Sequence, residues 1–389
     1  MKKFILNLFF VIACINSIKA QQLKVHVFSD VKATTMIFAI EQGTYTLYGD
    51  QREIMLVDKD VALYVNVQGT KVKVRTNTRE LGVFSKIWMN AENESSVFKL
   101  LPFRTDHKEK SYPGNLQIVS AGSTLKCINE VGIEQYLPGV VAAEAGSEQK
   151  VEYYKIQAII SRTYVLKNID KHVKQWYNVC DKEHCQVYKG LNKGVPNIDE
   201  GVESTKGIIL VDTDLNYISA VFHSNCGGHT VNSEDVWQSE KNYLKGVPDT
   251  FCINMPHANW NLALPKKEWL GYLSKNYEFP IHDSLHADYA INFIPQSRET
   301  HFISPGYSVP LKYVRRDWKL RSTFFAVRED QDHVKIYGRG FGHGVGLCQE
   351  GAMGMVNNDY PYYDILHYYF KEVYLINESL LDELRAKKY

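Results

Sequence analysis

The chain has 389 residues, 44% of them hydrophobic, and carries 45 basic against 44 acidic side chains for a formal net charge of +1. That balance supplies no field of one sign to gather nucleic acid or anionic lipid, so a nucleic-acid partner is excluded as an expectation. Recognition is left to shape, stacking and hydrogen bonds; the 25 tyrosines, each an apolar face with a polar tip, suit a carbohydrate.

From the N-terminus, Lys2 and Lys3 precede an apolar run from Phe4 to Ala13, and a short stretch then ends at Ala20. This layout predicts a secretory signal over residues 1–20, too short to span a bilayer. The expected mature chain starts at Gln21, is exported to a periplasmic or extracellular location, and has no transmembrane segment. An alternative takes Val11-Ile12-Ala13-Cys14 as a lipidation box with Cys14 modified, although Cys14 stands early for that. Six further cysteines, Cys127, Cys180, Cys185, Cys226, Cys252 and Cys348, can oxidise in an exported chain, and spacing alone leaves their pairing open.

Residues 21–115 alternate apolar and polar positions, as in Val61-Ala-Leu-Tyr-Val-Asn-Val67 and Lys71-Val-Lys-Val-Arg75, with turn residues between. They predict an antiparallel β-rich domain. The loop Tyr112-Pro113-Gly114-Asn115 is a plausible boundary. A second domain is expected over 116–376, with an insertion at 256–335 and a tail at 377–389. Within it the pattern predicts strands over 116–133, then a helix from Ser147 to Asn168 with Ser147 as N-cap. Strands return over 200–250, a helix is expected from Pro265 to Asn276, and a short one from Glu350 to Asn357.

Five segments carry candidate chemistry. Glu144 follows the apolar run Val140-Val141-Ala142-Ala143, where desolvation would raise its proton affinity as a general acid near neutrality requires. A surface glutamate is the bland alternative. Gln157, Ser161 and Tyr164 share a helix face that could turn towards Glu144, or could be ordinary polar packing; Arg162 reads as an ion-pair partner. His223 and Ser224 enter a glycine turn, but adjacent strand residues point to opposite faces, against a serine nucleophile with a histidine base. In Gly338-Arg-Gly-Phe-Gly-His-Gly-Val-Gly346 an extended backbone would leave one bare face and put His343 on the other; the spacing is not that of a dinucleotide loop. Finally Cys180-Asp-Lys-Glu-His-Cys185 with His172 offers two thiolates and two imidazoles, enough for tetrahedral zinc, or else for disulfides.

Taken in order, these segments resemble the SpoIID/LytB family, the sporulation stage II protein D group of peptidoglycan lytic transglycosylases. The residues that carry the likeness are Tyr136-Leu-Pro-Gly-Val-Val and Glu144, Lys155-Ile-Gln-Ala, Ser161-Arg-Thr-Tyr164 and Gln186-Val-Tyr-Lys-Gly190. His223-Ser-Asn-Cys-Gly-Gly228, Ser233-Glu-Asp-Val-Trp237 and Gly340-Phe-Gly-His-Gly-Val-Gly346 follow. The resemblance implies an α+β fold in which the β-rich N-terminal domain precedes a mixed α/β SpoIID-like catalytic core. It implies Glu144 as catalytic acid, peptidoglycan glycan strands as substrate, a cell-wall location, and 1,6-anhydro products. It also implies zinc on His172, Cys180, His184 and Cys185. Tyr164, His223, Ser224 and His343 are the candidates for positioning substrate. The family often has Glu-Met-Pro where this chain has Glu144-Ala145-Gly146, which could alter the stiffness of that corner. Two other readings are a non-catalytic wall-binding activator of an amidase, suggested by the LytB branch, and a zinc hydrolase. A disulfide between Cys226 and Cys252 at the base of the insertion is a further expectation.

Overall fold

The computed structural model describes residues 22–237 and 239–388. The expected signal segment, with Cys14 and Ala20, lies outside the described residues. The architecture is α+β with a β-rich N-terminal region, as expected.

Two sheets pack face to face. One has seven strands, in the order 179–180, 22–27, 124–132, 115–121, 86–91, 45–49 and 52–57. The other has six, in the order 110–113, 97–102, 35–42, 63–68, 71–75 and 80–84. Alternation in sequence becomes alternation in burial: Leu23, Val25 and Val27 point inwards and their neighbours outwards, the period-two geometry of a strand. Aromatic rings join the sheets. Tyr45 of the first lies edge-on to Phe38 and Phe98 of the second, with ring centres 5.4 and 5.9 Å apart. The first sheet runs on past the Tyr112–Asn115 turn, because strand Asn115–Ala121 pairs with Thr124–Gly132, which pairs with Gln22–Val27.

The last of those strands leads into helix α1 (Ile133–Ala145), followed by α2 (Val151–Lys167) and α3 (Pro196–Glu203). Helix α2 starts at Val151, with Lys150 as N-cap and no side-chain cap, so Ser147 does not cap it. Gly146 to Lys150 form the corner between the helices instead, and Tyr154 ties it: its hydroxyl donates to the Gly146 carbonyl at 3.0 Å and accepts from the Gln149 amide at 3.0 Å. Arg162, fully buried in α2, forks onto both carboxylate oxygens of Glu134 in α1 at 2.8 and 2.6 Å, and donates to the Ile208 carbonyl at 3.1 Å. It is the structural ion-pair partner that the sequence suggested.

Residues 259–339 build a separate layer. Strands 259–265, 333–339 and 325–330 form an antiparallel sheet, and a hairpin pairs 301–304 with 307–310. The helix expected from Pro265 runs from Lys266 to Tyr277. This layer has its own core around Trp269, Leu273, Phe279 and Ile336, distinct from the core that spans the rest of the chain.

Candidate functional site

Helix α1 contains Pro138 and Gly139, two residues that ordinarily end helices. Gly139 is there because of what lies against it. A Cβ at that position would stand 1.9 Å from the Gly190 carbonyl oxygen and 2.7 Å from the Tyr188 ring. The segment 186–190 thus threads directly over α1. The Tyr188 ring packs at 4.6 Å on Tyr136, and its hydroxyl donates to Asn129 at 3.3 Å. Gly190, at φ +93°, in turn lies over the Ser111 carbonyl.

This threading brings the Val187 amide onto Glu144, where it donates to Oε1 at 3.1 Å. Glu144 is half-buried at the C-terminal end of α1. Burial raises its proton affinity above that of an ordinary carboxylate; the Val187 hydrogen bond and Lys189 oppose the shift, and Glu183 adds to it. The partial negative charge of the helix C-terminus acts in the same direction as burial. Gln349, first residue of the helix Gln349–Asn357, donates its side-chain amide to the Glu144 carbonyl at 3.3 Å. Nothing in its sequence setting singled out Gln349; only the chain crossing reveals it.

Gln157 and Ser161 are fully buried within α2, and Gln157 donates to Tyr153 at 2.9 Å. Their shared face is polar packing inside the helical layer. Burial pushes the Tyr164 hydroxyl up to about 12, and nearby Cys185 and Cys180 add to the shift. His223 is buried, donating from Nδ1 to the Val345 carbonyl at 3.1 Å. Ser224 offers its carbonyl to the Glu350 amide at 3.0 Å, and no bond joins its hydroxyl to His223, in keeping with the argument against a serine–histidine pair. His343 donates from Nε2 to the Phe222 carbonyl at 3.0 Å and accepts the Val345 amide on Nδ1 at 3.1 Å. Burial lowers it to about 4, so it is neutral at pH 7. Its ring lies 5.0 Å from Trp237 and 5.4 Å from His223. It lines a cleft of about 520 Å³ against residues of the 259–339 layer such as Arg315 and Tyr313, and Glu144 is not part of that lining.

The glycine-rich segment is not extended. Gly340, Gly342, Gly344 and Gly346 all have positive φ, from +70° to +115°, so the backbone winds after Arg339 and the expected two-faced strand does not form. Close approach explains part of this: a Cβ on Gly340 would meet the Asn225 carbonyl oxygen at 2.6 Å.

His172, Cys180, His184 and Cys185 converge, with their ligand atoms all within 4.8 Å of one another. Cys185 Sγ is 3.4 Å from His172 Nε2 and 3.7 Å from His184 Nδ1, and Cys180 Sγ is 3.8 Å from His184 Nδ1. Tetrahedral zinc with ordinary bond lengths separates sulfur and nitrogen ligands by about 3.5 Å, so the four side chains fit a metal. No disulfide forms among the described cysteines. The expected Cys226–Cys252 bond is also absent: those sulfurs stand 3.4 Å apart, with Cys348 beside them.

Known proteins are similar to this chain in sequence. The model of the stage II sporulation protein family SpoIID matches residues 121–211, which hold α1, α2 and the Cys/His cluster. An uncharacterised protein of Brachyspira hyodysenteriae is 28% identical over 360 residues, covering 91% of this chain and 93% of its own. Stage II sporulation protein D of Bacillus subtilis is 28% identical over 282 residues, 67% of this chain and 79% of its own. An amidase enhancer of Bacillus subtilis is 26% identical over 288 residues, which are 60% of this chain but 39% of that protein. The ordered motifs and these relatives agree in making the chain similar to the SpoIID family, whose model itself spans residues 121–211.

Proposed function

We propose that this protein acts on the cell wall after export, cutting peptidoglycan glycan strands at N-acetylmuramic acid by lytic transglycosylation with Glu144 as the proton-transfer group. The observation that carries the reading is the Glu144 carboxyl: half-buried, raised in proton affinity, and held by the Val187 amide. Ordinary glycosidases need two carboxylates, one to protonate the leaving oxygen and one to activate water or attack carbon. One suffices when the nucleophile belongs to the substrate. Protonated Glu144 gives its proton to the glycosidic oxygen as the C1–O bond breaks. The resulting carboxylate takes the proton from the muramic acid 6-hydroxyl as that oxygen closes on C1, leaving a 1,6-anhydro ring. Intramolecular attack gains from proximity.

The Cys/His cluster is read as a zinc site held by His172, Cys180, His184 and Cys185. Four protein ligands fill a tetrahedral metal and leave no open position, so bound zinc would supply folding stability. This favours the glycan-cleaving reading over a zinc hydrolase. No helix among the described residues is long and apolar enough to cross a membrane.

The test is incubation of the purified chain with glycan strands stripped of stem peptides, read by mass spectrometry. Wild type is expected to produce anhydromuramyl ends and Glu144→Gln none. The relative named an amidase enhancer supports a second reading, a wall-binding amidase activator. That reading requires glycan binding and amidase stimulation to survive in Glu144→Gln, with no anhydro ends from either protein.

A further inference from the structure

We infer that Cys226, Asp249, Cys252 and Cys348 form a second, fully buried metal centre that takes a thiophilic divalent cation, zinc by preference. Each of the four residues is buried, and their ligand atoms lie within 4.8 Å of one another. They arrive from three separate places: the turn after strand Phe222–His223, the loop 249–252, and the N-cap of the helix Gln349–Asn357. Three thiols and a carboxylate in a dry interior make an anionic, sulfur-rich donor set, which a bound cation would neutralise.

Distances suit the proposal. Cys226 Sγ lies 3.4 Å from Cys252 Sγ and 3.3 Å from Asp249 Oδ2. Zinc with sulfur bonds of about 2.3 Å spaces tetrahedral sulfurs by about 3.7 Å. An odd number of thiols cannot be consumed by disulfides, whereas a tetrahedral ion uses three sulfurs and one oxygen.

The surroundings are built for thiolate sulfur. The amides of Cys226 and Gly351 both donate to Cys348 Sγ at 3.3 Å. Those of Gly227 and Gly228 bond to Cys252, in a turn whose positive φ values, +76° and +107°, turn successive amides to one side, as anion-binding nests do. Asp249 is oriented by Tyr369, whose hydroxyl donates to Oδ2 at 2.9 Å, and by the Phe251 amide on Oδ1 at 3.0 Å. Such outer partners are what metal ligands ordinarily have. Gly351 leaves the room: a Cβ there would stand 2.1 Å from Asp249 Oδ2 and 2.2 Å from the Tyr369 hydroxyl. Arg298 reaches in from the insertion to donate to the Cys226 carbonyl at 2.9 Å.

A metal here would brace three chain segments where the insertion leaves the core. One of them is the helix whose Gln349 holds the Glu144 carbonyl. The proposal stands whether or not Glu144 is catalytic.

The full chain, purified without chelator, is assayed for metal by mass spectrometry. Two equivalents of zinc are expected. Cys180→Ser/Cys185→Ser should keep one, and Cys252→Ser should keep the other. Zinc wholly lost in Cys180→Ser/Cys185→Ser would overturn the inference, as would zinc content unchanged in Cys252→Ser. X-ray absorption at the zinc edge of the wild type removes dependence on variants that fail to fold. A mean sulfur number between two and three supports two centres, and a value of two refutes the second. A disulfide between any of the three thiols in the unreduced chain also refutes it.

Discussion

In the proposed reaction Glu144 combines an effect on stability and a catalytic role in one ionisation, and the sign of its shift makes both measurable. Its folded proton affinity is raised from the ordinary 4.5, first by burial. The stability that this group contributes is therefore fully present below about pH 4.5 and is lost as pH rises through the folded value. Glu144→Gln keeps an oxygen for the Val187 amide and removes the titration. Thermal melts should show the variant no more stable than wild type in acid, with an advantage that grows with pH and then levels off. In wild type, kcat/KM on glycan should fall through the same midpoint, because the donor must be protonated. A melting difference that ignores pH, or an activity limb at another midpoint, would separate the titrating group from Glu144. His343 cannot supply that limb: lowered to about 4, it is already neutral, with both ring nitrogens engaged.

Helix α1 shows how an element can hide from its own sequence. Pro138-Gly139 reads locally as punctuation, and no helix is expected over 133–145; tertiary contact overrides local preference because the 186–190 segment needs the missing Cβ. Two helical glycines make this testable. Gly271, in the helix Lys266–Tyr277, has open space where a Cβ would go. Gly271→Ala should gain up to about 1 kcal/mol from helix propensity. Gly139→Ala gains the same local term but drives a methyl group into a backbone oxygen, an overpacking that costs about 1–3 kcal/mol or more. Urea unfolding should show opposite signs for the two. Only Gly139→Ala should also lose activity, by displacing the Val187 amide. Equal stabilisation by both would mean that the 186–190 segment yields freely. The glycine-rich segment misleads in the other direction: alternation suggested a strand, but a pattern of glycines cannot announce the positive φ that they adopt. The Cys/His cluster was legible because its four residues lie close together in sequence. Cys226 and Cys348, 122 residues apart, are joined only by the fold.

At the scale of the whole molecule, the question is whether two cores unfold as one. The core around Trp269 shares no buried apolar residue with the larger one. Polar ties among the described residues include Arg298, which donates to the Gly342 and Cys226 carbonyls at 3.2 and 2.9 Å, and the Gly342 amide, which donates to the Arg321 carbonyl at 3.0 Å. Each such bond is worth about 1–3 kcal/mol, whereas emptying the site of a buried tryptophan costs about 3–5 kcal/mol. Trp269 also donates from Nε1 to the Ala290 carbonyl at 2.7 Å. Trp269→Ala should therefore open the 259–339 layer locally, at a free energy below that of global unfolding. Native-state hydrogen exchange is expected to lose protection in Lys266–Tyr277 and Phe325–Asp330 while Gln22–Val27 and Thr124–Gly132 keep theirs. Uniform loss across both regions would show that the polar ties, or a metal at the root of the insertion, couple the two cores into one cooperative unit. A chelator added to the wild type then distinguishes these causes, because only the metal can be withdrawn without changing a side chain.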